Sequence, residues 1–230
     1  MSRTVDLNAD LGEEVTDDDG LLAVVSSANV ACGYHAGTPE IMRRVCAAAA
    51  RLGVAVGAQV SYDDRPKPGR VALDVPYAVL RDQVADQVTT LSTIAAEEGT
   101  RVRYLKPHGA LYHRVAVDED QARAVLDGSG DLPVLGMPGA LVLSLAADAG
   151  RAVHTEAFPD RAYGEDGQLR PRTEPGAVLD DSATIADRAV ALAAGVDSVC
   201  VHGDTPGAVG HAGAVRAALE AAGYDVRPFG

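Results

Sequence analysis

The sequence predicts an α/β protein, a parallel (β/α) barrel that is TIM-like, seven-stranded and irregular. Three observations predict it. Short β-branched or apolar runs alternate with longer Ala/Leu/Arg/Glu-rich stretches, the helical stretches are followed by glycine, and nearly every apolar run ends in polar groups. Alternation implies parallel strands joined by helical crossovers. An open doubly wound sheet collects its polar groups at one or two switch-point strands, whereas a barrel gathers them from many strands at one mouth. With no Ser/Gly/Pro linker, residues 1–230 read as a single domain.

The strand runs, in order, are Thr4–Leu7, Ser27–Ala31, Val54–Ala58, Val102–Leu105, Leu132–Leu135, Ala152–His154 and Ser198–Val201. Helical spacing marks Glu40–Leu52, Tyr77–Glu98, Glu119–Leu126, Ala140–Ala149, Ser182–Ala194 and Gly207–Ala222. Thr38-Pro39 and Thr205-Pro206 each place a capping hydroxyl before a proline at the first helical position, and Gly53, Gly99, Gly150, Gly195 and Gly223 follow helix ends. The Thr205-Pro206 start would also present free backbone N–H groups to an anion at the mouth. Gly207, Gly210 and Gly213 recur at a spacing of three, which predicts close helix packing rather than a dinucleotide fingerprint. The polar loops Tyr62–Arg70 and Tyr163–Pro175 have the length of lids or binding loops.

Composition narrows the partners. Lys+Arg 20 against Asp+Glu 33 gives a net charge of −13, which argues against nucleic acid and anionic membrane, since both reward clustered cations. No apolar run approaches the ~18–20 residues that span a bilayer. The chain enters a strand-like run at once, without a signal-peptide pattern. Cys32, Cys46 and Cys200 form no Cys-x-x-Cys pair, so a disulfide framework is not expected and a reducing cytoplasm fits.

The chemistry sits at the strand ends. Asp6, Asn8 and Asp10 alternate along one strand and share a face, a placement costly to bury unless they bind a ligand, a cation or each other; a strand end running into solvent explains them equally well. His35 lies in a turn flanked by Gly33 and Gly37, where a lone imidazole is more often merely hydrogen-bonded. Lys106-Pro-His108 puts a cation and a titratable base in one turn, which packing explains poorly. His202 precedes Asp204, a carboxylate able to fix its tautomer. These groups suit either general acid/base chemistry, with Lys106 stabilising an oxyanion, or a His/carboxylate metal site of three histidines with Asp6 or Asp10. No His-Glu-x-x-His, Gly-x-Ser-x-Gly or Walker A pattern occurs. Cys46 and Cys200 read as core residues.

Five segments occurring in order complete the pattern: Asp6–Glu13, Ser27–Gly37, Lys106–Tyr112, Glu156–Tyr163 and Val201–Asp204. Together they resemble the LamB/YcsF family, the A subunits of bacterial ATP-dependent 5-oxoprolinase, over nearly the whole chain. The resemblance implies a barrel of the glycoside hydrolase/deacetylase type. It also implies opening of the 5-oxo-L-proline lactam to L-glutamate, with ATP used by the assembled complex and with separate B and C subunits as partners. Asp10, Lys106 and His108 are then the expected catalytic groups. Asp6, Asn8, His35, Gln59, Arg70, Glu156, Arg161, His202 and Asp204 are the expected substrate-binding groups. Gln59 stands where the family usually has an imidazole, which weakens a metal or acid/base role there; no metal ligand is assigned, and a divalent metal is left open. The rival readings are a metal-dependent deacetylase or amidohydrolase acting without ATP, and a non-catalytic regulatory subunit.

Overall fold

Period-two alternation builds the barrel. In the computed structural model, which describes residues 3–165 and 167–229, Leu7, Ala9 and Leu11 of β1 (Arg3–Leu11) are fully buried in the main apolar core. Asp6, Asn8 and Asp10 on the opposite face bond to one another's neighbours across the barrel interior. The same alternation recurs in β2 (Ser27–Ala31), β3 (Ala55–Val60), β4 (Val102–Pro107) and β7 (Ser198–Val201), whose Ala28, Val30, Val56, Ala58, Val60, Leu105, Val199 and Val201 join that core. The apolar core therefore lies between barrel and helices, and the barrel interior is polar.

Strands β5 (Val134–Gly136) and β6 (Val153–Ala157) complete the wall. Every pairing is parallel, and β1 contacts both β2 and β7, which closes a seven-stranded ring. A further strand, β8 (Tyr224–Val226), pairs with Arg3–Val5 outside the ring. Helices α2 (Pro39–Leu52), α3 (Tyr77–Glu97), α5 (Glu119–Gly128), α6 (Leu141–Asp148), α7 (Ser182–Leu192) and α8 (Ala208–Ala221) surround it. Two short helices, α1 (Asp18–Leu22) and α4 (Gly109–Arg114), sit in the loops after β1 and β4. None of these helices is long and apolar enough to cross a membrane.

Capping follows the sequence at one proline and not at the other. The Thr38 side chain accepts from the Ile41 N–H just ahead of Pro39. At the second site, α8 starts after Gly207 in the left-handed region (φ 82°), and Thr205-Pro206 lies in the preceding turn. The expected anion-ready helix start at Thr205 is thus corrected. Gly210 is exposed, and a Cβ at Gly210 or Gly213 would meet nothing within 4 Å, so these glycines mark no close helix contact.

Two close approaches shape the site. A Cβ at Gly57 would lie 2.3 Å from the Tyr104 ring, so the missing side chain is what lets Tyr104 cross the barrel and donate to Asn29 Oδ1 at 2.6 Å. Gly109 (φ 58°) lies under the Gly69 carbonyl, which accepts from the Ala110 N–H at 2.9 Å and pins the 62–70 loop onto the start of α4.

Candidate active site

The barrel interior is layered. In the deepest layer Asp6 is fully buried and accepts from Ser26 (2.7 Å), Ser27 (2.6 Å) and Ser198. Burial pushes its carboxyl up to about 6 against these three hydroxyls. Asp6 is thereby saturated beneath the mouth, and its place is structural support for the layer above.

That layer centres on Lys106, 3% exposed. Its ammonium donates to Glu156 Oε2 at 2.9 Å and Asn8 Oδ1 at 3.2 Å, and lies 3.1 Å from Cys200 Sγ and 3.5 Å from Asp10 Oδ1. Asn8 in turn donates to Glu156 and to Ser198. Burial would lower the lysine, but Asp10, Cys200 and Glu156 outweigh it and hold the ammonium well above its usual range. Burial would likewise raise Asp10; Lys106 and His108 reverse that and hold its carboxyl well below the usual carboxylate range. Cys200, expected as plain core, is buried but touches the site lysine.

The mouth joins Asp10, Lys106 and His108 with Arg70, Arg161 and His202 around one cavity. His108 Nδ1 lies 3.8 Å from Asp10 Oδ2. The Gln59 amide nitrogen lies 2.8 Å from His108 Nδ1 and 2.9 Å from Glu13 Oε1, so its two hydrogens bridge them. That assignment puts the His108 proton on Nε2, 3.3 Å from the Pro68 carbonyl oxygen. His35 stacks on His108 with centroids 4.1 Å apart and planes 14° apart. It is 1% exposed, and neither ring nitrogen has a hydrogen-bond partner. Burial lowers His35, opposed by Glu13, whose carboxylate lies 3.8 Å away.

Among the described residues, Glu13, His35 and His108 are the group whose ligand atoms lie close enough, within 4.8 Å, to share a cation. The two rings are nearly parallel, so their in-plane lone pairs do not converge on one point; a shared ion requires one ring to turn. The metal set suggested by the sequence, three histidines with Asp6 or Asp10, is not assembled. His202 Nδ1 instead pairs with Asp160 at 2.9 Å, and Asp6 lies a layer below. Asp204 does not orient His202 as expected: it accepts from Arg70 (2.5 Å) and Arg172 (3.1 Å). Burial would raise Asp160, and His202 lowers it.

The residues that sequence reasoning missed are Glu13, Asn29, Asp160 and Arg172. Asp160 and Glu13 sit inside quoted segments, and the Glu13 turn is marked by Gly12 in the left-handed region (φ 75°). Arg172 belongs to the 163–175 loop, where nothing distinguishes it from Arg170, which pairs with Glu174 instead.

A model of the LamB/YcsF family matches residues 5–230. A protein of Streptomyces avermitilis, named as the A subunit of 5-oxoprolinase, is 53% identical, covering 98% of this chain and 99% of its own. One of the same name from Mycobacterium marinum is 48% identical, with 98% of each chain covered. Both alignments run over 248 positions against 230 residues here, so the relatives carry additional residues. A solved structure of a lactam utilization protein from Thermus thermophilus superposes with a TM-score of 0.92 at 36% identity, over 98% of this chain and 100% of that one. The Xyl-CE4 domain of a xylanase from a Trinervitermes trinervoides hindgut metagenome shares the fold alone, with a TM-score of 0.56 at 15% identity over 98% of this chain and 87% of that one.

Proposed function

This chain belongs to the LamB/YcsF family, and we propose that it is the lactam-opening A subunit of an ATP-dependent 5-oxoprolinase. The observation that carries the reading is the buried Lys106 held between Asp10 and Glu156 at the floor of the mouth, with His108 beside it. A preorganised cation in a water-poor site stabilises charge developing on a carbonyl oxygen. Asp10, kept ionised by Lys106, is the base that takes a proton from the attacking water. His108, with its proton on Nε2, is the acid that delivers one to the departing ring nitrogen. Water adds at the lactam carbonyl carbon, the ring C–N bond breaks, and the nitrogen becomes the α-amino group of glutamate.

A five-membered lactam is an unactivated amide, so coupling to ATP supplies the driving force. The chain offers no Gly-rich phosphate loop, which fits ATP use by B and C partner subunits. The close relatives named as A subunits of 5-oxoprolinase support this division of labour. The test is glutamate release from 5-oxo-L-proline and ATP, with each subunit omitted in turn. Glutamate and ADP should form together only when this chain and its partners are all present. A B–C pair that makes glutamate unaided would overturn the catalytic role, and chelator-sensitive, ATP-independent turnover by this chain alone would favour the deacetylase-like alternative.

A further inference from the structure

Three guanidiniums ring the outer wall of the cavity whose floor is Asp10, Lys106 and His108. Arg70 arrives on the 62–70 loop, Arg161 follows β6, and Arg172 arrives on the 163–175 loop. Arg161 is 4% exposed and spends hydrogen bonds on neutral carbonyls, those of Ala177 (3.2 Å) and Arg170 (2.6 Å). Burial and the charges of Arg172 and Arg70 push its guanidinium below its ordinary value, as expected where like charges face one another. Asp204 serves both Arg70 and Arg172, while Asp160 beside them is taken by His202.

The wall therefore carries three cations against the one carboxylate of Asp204, in a chain whose net charge is −13. Such a surplus suits a dianion better than a single carboxylate. The interior has the opposite sign, with Asp10, Glu13 and Glu156 against Lys106. An anionic group is repelled from the floor and held at the rim.

We propose that Arg70, Arg161 and Arg172 receive a phosphoryl group, so that the molecule reaching Asp10 and His108 is the lactam already phosphorylated on its carbonyl oxygen. Asp204 is the internal competitor that occupies two of the three guanidiniums until the phosphoryl group displaces it. This deepens the 5-oxoprolinase reading and rests on it. The reaction that supplies the substrate is phosphoryl transfer from ATP to an amide oxygen, carried out by a partner. The step here is addition of water at the imidate carbon. The C–N bond then breaks, the nitrogen takes both protons of that water to become the amine, and the carbon is left as an acyl phosphate. A second water cleaves the acyl phosphate to the carboxylate and orthophosphate, and no atom is oxidised or reduced.

Inorganic phosphate and 5-oxo-L-proline serve as separate probes of the isolated full-length chain, read by calorimetry. Phosphate should bind, Arg172→Gln should weaken it at least about tenfold, and Asp204→Asn should tighten it several-fold because the guanidiniums are released. A gain in the second variant also shows that the loops remain folded. Phosphate affinity unchanged in both variants would overturn the proposal. So would binding of 5-oxo-L-proline, but not phosphate, that depends on Arg172, since the arginines would then hold the substrate's own carboxylate. Absence of glutamate release from the assembled complex, with the phosphate pattern as expected, would refute the 5-oxoprolinase reading and not the subsite.

Discussion

Replacing Lys106 by Met keeps the length of the side chain and removes the one ammonium in the barrel. At an effective dielectric near 20, an ion pair at the 2.9 Å separation from Glu156 or the 3.5 Å separation from Asp10 has a gross attraction of roughly 5 kcal/mol. Desolvation of Lys106 itself offsets most of that, so the net worth of the pairs is small. Deleting one partner is different, because Glu156 at 0% exposure and Asp10 at 7% remain buried without a cation. Breaking such a pair costs about 3–5 kcal/mol. The chain escapes part of this by protonating the carboxylates, whose affinity for protons rises once Lys106 is gone. Lys106→Met should therefore destabilise by about 3–5 kcal/mol at pH 7.5 and by clearly less at pH 5, measured by urea unfolding followed by circular dichroism. Lys106→Met with Glu156→Gln should recover part of the loss. A single variant within about 1 kcal/mol of the wild type at pH 7.5, or a loss that does not change with pH, would refute the assignment of Lys106 as counter-ion of both carboxylates.

Three further outcomes follow from the geometry. Asp10→Asn and His108→Ala should each lower glutamate formation by the assembled complex at least about a hundredfold while leaving thermal unfolding of the chain two-state, as expected for acid/base groups. Asp6, with its carboxyl near 6, keeps a proton in the folded chain that the unfolded chain releases near 3.8. Stability conferred by that proton is complete below about pH 4 and is lost as pH rises to about 6, an effect of about 3 kcal/mol. Unfolding free energies of wild type and Asp6→Asn, compared from pH 4 to 7.5, should show the wild type losing that amount relative to the variant, and parallel curves would contradict it. Gly57→Ala should cost about 1–3 kcal/mol by driving a methyl into Tyr104, whereas Gly210→Ala, exposed on α8, should gain up to about 1 kcal/mol in the same denaturation assay.

The strands were legible because their apolar residues alternate, and that signal survives without knowledge of partners. Elements of three to six residues, β8, α1 and α4, lie below the length at which a period is visible. The α8 start was misread because a Thr-Pro pair signals a cap only locally, while Gly207 is free to turn the chain two residues later. At the site, Lys106, His108 and Asp10 stood out by residue type at a strand end. Their depth did not: Asp6 and Asp10 occupy equivalent positions of one alternation, yet one is sealed by serines and the other opens to the mouth. Pairings such as Asp160 with His202, or Asp204 with two arginines, depend on where separate loops fold back, which no local pattern encodes.

Gln59 shows how the back wall is built for chemistry more than for stability. A buried polar atom left without a partner costs about 1–3 kcal/mol, and the barrel otherwise pairs its polar groups closely. Here, however, Gln59 Oε1 and both nitrogens of His35 lack partners side by side. The arrangement gains a fixed proton. An imidazole at position 59 would itself titrate and could give or take the hydrogen at His108 Nδ1. An amide cannot, and its single nitrogen donates to Glu13 and His108 at once. Glu13 is held as the anion by this donor and by the nearby imidazoles, burial notwithstanding. His108 is thus confined to one tautomer, with its transferable proton on the nitrogen nearest the Pro68 carbonyl, and its ring is braced from behind by His35. The acid and the base of the reaction are separated in this way: Lys106 keeps Asp10 deprotonated and Gln59 keeps His108 protonated on Nε2, which is the division of roles that opening a lactam requires.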